Sequence, residues 1–323
     1  VIATDADREG EMIARELVEH CRYRGPIQRL WLSALDDASI RKALARLLPG
    51  HDAVINLIGT LAYAARIAGI RTGRIALSFA LFNLLYGRLY GAFLLRNHTV
   101  VVQQDWLRQA FRRLYAHPNV VVAYPTRPDG RSPTPAQTHA VTAFSQSRPL
   151  VMLYPALPRV FKNVEVLCEA MERMPPDTRG TAELQLTLSG TENAYARDLH
   201  QRFSEVCGVR FIGRQNREQM VAAYRACDVV VFPSKLETWG LPITEAKSMN
   251  KPLLLADLPY AHETAGNCPA VSFLPATDVQ AWANVFEQLA SGRHRFGSQT
   301  RNAPEAPFAA DWPQLWRLLT QGL

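Results

Sequence analysis

Phe232-Pro-Ser-Lys-Leu-Glu237-Thr-Trp-Gly-Leu-Pro-Ile-Thr-Glu245-Ala follows an apolar run, Val229 to Pro233, and leads into a stretch with helical spacing, Pro242 to Met249. The run of valines reads as a buried strand, because β-branched side chains suit a pleated surface. Gly240-Leu241-Pro242 supplies a permissive residue and then a proline at the first helical position, where the lost N–H has no partner to miss. The segment is therefore strand, loop, helix, with Glu237 in the loop and Glu245 about a turn inside the helix. Backbone amides at such a helix start favour an anion, and a diphosphate fits there electrostatically.

Outward from this segment the pattern is regular from Pro149 onward. Strands are predicted at Leu150 to Tyr154, Leu184 to Leu188, Val209 to Ile212, Val229 to Pro233, Leu253 to Ala256 and Val271 to Phe273. They alternate with helices near Val164 to Met174, Ala194 to Cys207, Arg217 to Ala226, Pro242 to Met249 and Val279 to Leu289. Alternating β and α with short apolar strands predicts an α/β fold, a Rossmann-like parallel sheet covered by helices on both faces. Ligands of such sheets bind at the carboxyl ends of the strands, so the loops that follow strands are where function is to be sought.

Two glutamates at a helix start are commonly just solvated, but the full string is distinctive. It resembles the E-x7-E motif of retaining glycosyltransferases of the GT-B fold, in the large family 4 group. The resemblance implies that Glu245 accepts hydrogen bonds from the ribose of a sugar nucleotide, that Glu237 holds the donor sugar near the reacting carbon, and that Gly240, Leu241 and Pro242 carry free amides to the diphosphate. Upstream, Tyr154-Pro-Ala-Leu-Pro-Arg159-Val-Phe-Lys162-Asn163 is similar to the first βα loop of that family, where a lysine contacts the donor phosphates. Lys162 takes that place, and a fixed cation there stabilises charge on a departing nucleoside diphosphate without a metal.

Many family members carry Gly-Arg five residues before the lysine. Here the pair is Ala156-Leu157, and Arg159 is the substitute. Leu188-Ser-Gly190, Phe211-Ile-Gly213-Arg214 and Ala226-Cys-Asp228 resemble the family's loops around the nucleotide. The resemblance thus implies Glu237 and Lys162 as catalytic, with Arg159, Gly190, Gly213, Arg214, Gly240, Leu241, Pro242 and Glu245 binding the donor. It implies no cofactor for glycosyl transfer, a nucleotide-sugar donor and a saccharide or lipid-linked acceptor. Thr99 to Leu107 and Val120 to Pro125 look like the end of the family's acceptor-binding domain, most of which has no counterpart in this sequence.

Residues 1–50 read differently. A strand (Val1 to Thr4) is followed by Asp5-Ala-Asp7-Arg-Glu9-Gly-Glu11 and a helix, and carboxylates so close repel one another unless a cation is present, as magnesium would be. The wording from Ala3 to Leu44 resembles the Toprim segment of type IA topoisomerases, close to topoisomerase III, which implies magnesium on Asp5, Asp7 and Glu9. The further glutamate, nucleophilic tyrosine and strand-passing toroid of that family have no match, so topoisomerase activity and DNA are not expected. The chain reads as two unrelated pieces joined between about Leu48 and Gly69.

The expected domains are a partial Toprim-like fragment (1–50), a junction with a remnant of the GT-B N-terminal domain (51–135), the nucleotide-sugar-binding domain (148–292) and a tail helix (293–323). Apolar residues make up 48% of the 323 and charged residues 20%, which is the composition of a folded globular protein. Five scattered cysteines, none in a C-x-x-C pair, argue against a disulfide framework or zinc site and for a reducing compartment, the cytoplasm. No leader opens the chain, which begins with Val inside a strand and reads as a fragment. Residues 1–150 hold 19 Lys and Arg against 11 Asp and Glu, and the rest 17 against 18, so the whole excess of positive charge lies in the first half. The segment His51 to Gly91, with Arg74-IALSFALFNLLYG-Arg88, is too short an apolar run to span a bilayer comfortably and reads as a buried or interfacial helix. Contact with an anionic lipid surface at the inner face of the membrane is its second reading. Three functions follow for testing: a truncated retaining glycosyltransferase, a DNA-binding, topoisomerase III-related fragment using magnesium, and a catalytically inactive fusion.

Overall fold

The computed structural model describes residues 2–3, 55–56, 99–116, 119–125 and 148–321. The chain divides into two compact units, one of Val1–Ser132 with Ala303–Leu323 and one of Pro133–Asn302. In the first unit β1 (Ile2–Ala3) pairs in parallel with β2 (Ile55–Asn56), Ile2 opposite Ile55. β3 (Val100–Val102), α1 (Asp105–Tyr115) and β4 (Val120–Ala123) form a βαβ step, with β3 and β4 parallel and fully buried. Two runs of valine produce this burial, since a strand covered on both faces has no use for alternation. α1 begins with Asp105 and ends with Arg112 and Arg113, charges that complement the helix dipole at each end.

The second unit starts with β5 (Leu150–Tyr154), a 3₁₀ turn at Val160–Lys162, α2 (Val164–Arg173) and the single turn α3 (Pro176–Arg179). It continues through β6 (Ala182–Leu186), α4 (Ala194–Phe203), β7 (Val209–Phe211), α5 (Arg217–Ala226) and β8 (Val229–Phe232). The last part holds α6 (Leu241–Ser248), β9 (Leu253–Ala256), α7 (Pro259–Ala265), β10 (Cys268–Leu274), α8 (Val279–Ala290) and β11 (Gly297–Gln299). The sheet order is β11-β10-β9-β8-β5-β6-β7, parallel except for β11. The strands therefore wind outward from β5 to β7, and the chain then crosses back to place β8 on the other side of β5. Right-handed crossovers put helices on opposite faces for the two directions of winding. The packing agrees: α2 lies against α4 and α8 on one face, and α6 against α7 on the other.

The core of this unit is the sheet's central strands together with Trp282, Phe286, Leu167 and Met171, all fully buried. Helix starts are fastened locally: Asn193 accepts from the Ala196 amide, Asn216 and Gln219 form a reciprocal capping box, and Asp278 accepts from Ala281. The chain then returns to the first unit with β12 (Phe308–Ala309), parallel to β4, and α9 (Trp312–Gln321). Val101, Val121, Ala123, Ala309 and Leu315 form a buried cluster there, with Leu318 and Leu319 packed against it.

The alternation and the parallel sheet are as the sequence predicts, and several boundaries move. β6 runs from Ala182 to Leu186 rather than Leu184 to Leu188, because its register is set by pairing with Leu150 to Tyr154. α4 ends at Phe203 rather than Cys207; the segment beyond turns at Gly208, whose φ is 83°. The tail 293–323 carries β11 and β12 before its helix. β11 is antiparallel, a departure from an all-parallel sheet, and its Gly-Ser-Gln sequence has no apolar periodicity to announce it.

Two outcomes follow. Gly190 has φ 86°, and a Cβ there would lie 2.5 to 2.7 Å from Cβ, Cγ and Cδ2 of His200, so Gly190→Ala is expected to lower stability by about 2 kcal/mol or more in denaturant unfolding. Of the four described cysteines Cys207 alone is exposed, while burial holds the thiols of Cys168, Cys227 (pushed up to about 12) and Cys268 above the usual range. Iodoacetamide on the folded protein should alkylate Cys207 well before those three, and equal rates would contradict the packing.

Candidate active site

β5 and β8 are neighbours in the sheet, yet their outgoing helices α2 and α6 leave toward opposite faces. Such a reversal leaves a crevice at the carboxyl ends of the two strands, the place where open α/β sheets take ligands. Lys162 stands on the loop that follows β5, and Glu237 on the loop that follows β8. Their side chains meet across this point, Lys162 Nζ donating to Glu237 Oε1 at 2.5 Å. Both are largely removed from solvent, with side-chain exposures of 15% and 7%. The ammonium also lies 5.7 Å from the ring centroid of Phe161 and 5.6 Å from that of Phe232, distances at which an aromatic face attracts a cation.

Backbone geometry holds the two loops in register. Asn163 adopts the left-handed region (φ 57°, ψ 40°), and its buried amide nitrogen donates to the carbonyls of Pro233 at 3.1 Å and Ala276 at 2.7 Å. One side chain thereby ties together the loops after β5, β8 and β10. The Lys235 amide donates to Phe161 O at 2.8 Å, and Ser234 Oγ donates to the same carbonyl. Beneath the ion pair, Tyr154 donates to Lys162 O at 2.6 Å and Tyr260 to Ser234 O at 2.6 Å. Burial raises both phenol pKa values well above their ordinary range, and the Glu237 charge raises them further, so both remain protonated donors. A second polar group sits beside the first: Tyr195 donates to Glu165 Oε2, and Lys235 Nζ lies 4.0 Å from Glu165 Oε1.

At the start of α6, Gly240 has φ 86°, and a Cβ there would stand 3.3 Å from Ile243 Cδ1 and 3.8 Å from Glu237 Cγ. Glycine is thus favoured by its left-handed conformation, and a side chain there would also press on Ile243. Pro242 has no N–H, and the Ile243 amide that follows it donates to Gly240 O at 2.9 Å. Trp239 Nε1 donates to Thr244 Oγ1 at 2.9 Å, and Thr264 Oγ1 donates to Trp239 O, so the loop is pinned to α6 and α7. Lys247 donates to the carbonyls of Thr264 and Ala265 at the end of α7; burial lowers its pKa. Glu245, half-buried in the middle of α6, accepts from Tyr224 OH at 2.8 Å, a bond separate from the Lys162–Glu237 pair.

The remaining expected residues lie on loops at the same end of the sheet but make their own contacts. Arg159 is exposed, between exposed Leu157 and Val160, and Arg214 is exposed. The Gly190 amide donates to Glu192 Oε2 at 3.0 Å and the Ser189 amide to Glu192 Oε1 at 2.6 Å. Burial acts to raise the Glu192 pKa, but these amides outweigh it and the net shift is downward. The Gly213 amide donates to Leu188 O at 2.9 Å. Asp5, Asp7 and Glu9, and all of the segment His51 to Gly91 but Ile55–Asn56, lie outside the described residues. Among the described residues no cluster of three His, Cys, Asp or Glu has the arrangement to hold a metal ion, and no helix is long and apolar enough to cross a membrane. Sequence reading passed over Asn163, Tyr224 and the Glu165–Tyr195–Lys235 group; only Asn163, an asparagine directly after the lysine, carried a signal, since asparagine tolerates the left-handed region.

Comparison with known proteins bears on the fold and the family. The crystal structure of Anabaena Alr3699/HepE in complex with UDP and glucose is 17% identical, covers 92% of this chain and 94% of that one, and has a TM-score of 0.58. The structure of WaaG, a glycosyltransferase involved in lipopolysaccharide biosynthesis, is 16% identical over 90% of this chain and 89% of its own, with a TM-score of 0.59. At such identities the likeness shows the fold alone, a GT-B arrangement. TarM matches 64% of this chain, which spans 41% of TarM, at a TM-score of 0.47. DNA topoisomerase 3 of Bacillus cereus is 46% identical over 51 residues, and that of Bacillus subtilis 46% over 52, in each case 16% of this chain and 7% of the topoisomerase. The chain thus spans a small part of the topoisomerases it matches, and the match supports the Toprim-like fragment. Residues 52–107 match the family Alternate to MurJ, which sequence reading did not anticipate. Residues 136–303, just over half of the chain, match Glycosyl transferases group 1, and the chain belongs to that family.

Proposed function

We propose that the chain binds a nucleotide-sugar donor at the crevice between β5 and β8 and transfers its sugar, with retention, to a saccharide or lipid-linked acceptor in polysaccharide or glycoconjugate synthesis. The observation that carries the reading is the contact of Lys162 with Glu237 across the switch in winding direction. Family membership and the GT-B fold support glycosyl transfer in general. In this reading the Lys162 ammonium turns from Glu237 toward the diphosphate and stabilises the charge that develops as the nucleoside diphosphate departs. Glu237 then faces the sugar, and Glu245 accepts from the ribose. Gly240 lets the backbone approach the phosphates, and Arg159 and Arg214, exposed on neighbouring loops, add positive charge at the rim. Gly190 and Gly213 shape the loops around the nucleotide. The chemistry asks for no cofactor. The cytoplasmic side of a membrane, reached through the basic segment, is the proposed location.

Thermal-shift titration with UDP, GDP and their sugars tests the assignment. A ligand at about 100 times its Kd should stabilise the protein by about 2.7 kcal/mol, and Lys162→Ala and Glu245→Ala should abolish that gain. Lys162→Ala should also lower the stability of the ligand-free protein by about 3 kcal/mol, because Glu237 is left buried without its cation. Silence toward every nucleotide would sink the proposal.

A second reading attaches to the 46% identity with DNA topoisomerase 3 over 51 residues. There Asp5, Asp7 and Glu9 would hold magnesium, which supplies charge neutralisation at a scissile phosphate. The first reading expects no magnesium-dependent nicking of supercoiled DNA by the full chain, and nicking lost in Asp7→Asn would favour the second.

A further inference from the structure

The Glu245 carboxylate is not loose in its surroundings. Tyr224, on α5 and 1% exposed, directs its hydroxyl to Glu245 Oε2 at 2.8 Å, and the same hydroxyl lies 3.4 Å from the carbonyl of Pro242, one turn earlier on α6. A phenol ring buried to that degree has few alternative rotamers, so its oxygen is a fixed point. A carboxylate on a solvated helix face samples several χ angles, and ordering it on ligand binding costs conformational entropy. The Tyr224 bond removes that freedom before any ligand arrives, and it occupies one oxygen, leaving the other as the acceptor for a ligand. A carboxylate oriented in this way suits a pair of adjacent hydroxyls, each donating a hydrogen bond strengthened by the charge.

We propose that Tyr224 is a positioning residue that holds Glu245 in the orientation needed to recognise a cis-diol, and so makes the site selective for ribonucleoside over deoxyribonucleoside diphosphates. This rests on the reading of Glu245 as the ribose partner and adds to it the source of its selectivity. Tyr224 touches no reacting atom and acts on the ligand through Glu245. The specificity follows from an asymmetry in hydrogen-bond energetics. A site whose charged acceptor is fixed loses heavily when the ligand lacks the donor, whereas a mobile acceptor turns to water and loses little.

The test uses the full chain, with UDP and 2′-deoxy-UDP as probes, in calorimetric titration. Wild type should prefer UDP by about 10-fold. Tyr224→Phe keeps the ring and its packing; it should weaken UDP by about 5- to 10-fold, leave 2′-deoxy-UDP nearly unchanged, and reduce the preference to about 2-fold or less. In the double variant with Glu245→Gln, Tyr224→Phe should have little further effect, because the two residues act as one unit. A purely structural role for Tyr224 predicts the opposite pattern, equal weakening of both probes and additive penalties, and either result overturns the proposal. If wild type binds UDP and Tyr224→Phe retains the 10-fold preference, this inference alone fails. If wild type binds neither UDP, GDP nor ADP, the nucleotide-sugar reading fails and takes the inference with it.

Discussion

A lysine and a glutamate taken out of water together, at the one place where the sheet changes its direction of winding, set the terms for the rest of the second unit. Each ion alone would be costly to bury, and their mutual attraction offsets that cost only while the geometry is held closely. The surrounding side chains supply that geometry. Asn163 fixes the lysine loop to the loops after β8 and β10, Tyr154 and Tyr260 bond to the carbonyls beneath the pair, and Phe161 and Phe232 line the ammonium. In the proposed reading, a ligand that takes over the ammonium exchanges one charge-assisted bond for another.

The same economy appears along α6. Gly240 supplies the left-handed turn that opens the helix, Trp239 and Thr244 lock the loop to the first turn, and Lys247 caps the end of α7. Glu245 is bonded to a side chain of the neighbouring helix α5, Tyr224, rather than to its own backbone. The two glutamates of the motif thus occupy different settings: Glu237 is paired with a cation in a nearly closed environment, whereas Glu245 is half-open and held by a neutral donor. In the proposed reading these settings suit distinct tasks, one beside the developing charge and one beside neutral hydroxyls.

Most of the second unit was legible from its residues because its strands are short, apolar and bounded by turns, and because Phe232 to Ala246 states a strand, a loop and a helix in succession. Lys162, Glu237 and Glu245 were expected together in one cleft from the strand–loop rule and the family resemblance; Lys162 and Glu237, 75 positions apart, are in contact, whereas Glu245 bonds to Tyr224. What escaped was what depends on partners rather than on local pattern. β11 is a strand only because Cys268 and Val271 lie opposite it, α7 is a seven-residue helix with too few turns to show a period, and Tyr224 reads as an ordinary apolar position of α5 until its hydroxyl is placed.

The antiparallel β11 has a bearing on how copies of this protein meet one another. By covering β10 it leaves the seven-stranded sheet with β7 as its other rim, three residues long and carrying the exposed Arg210, which is tied back to Glu183 on the adjacent strand. A rim that brief, with a charge at its centre, offers scant purchase to a foreign strand. The larger sheet is thus guarded at one border by a short polar add-on and at the other by an ion, and stacking of molecules edge to edge finds no template there.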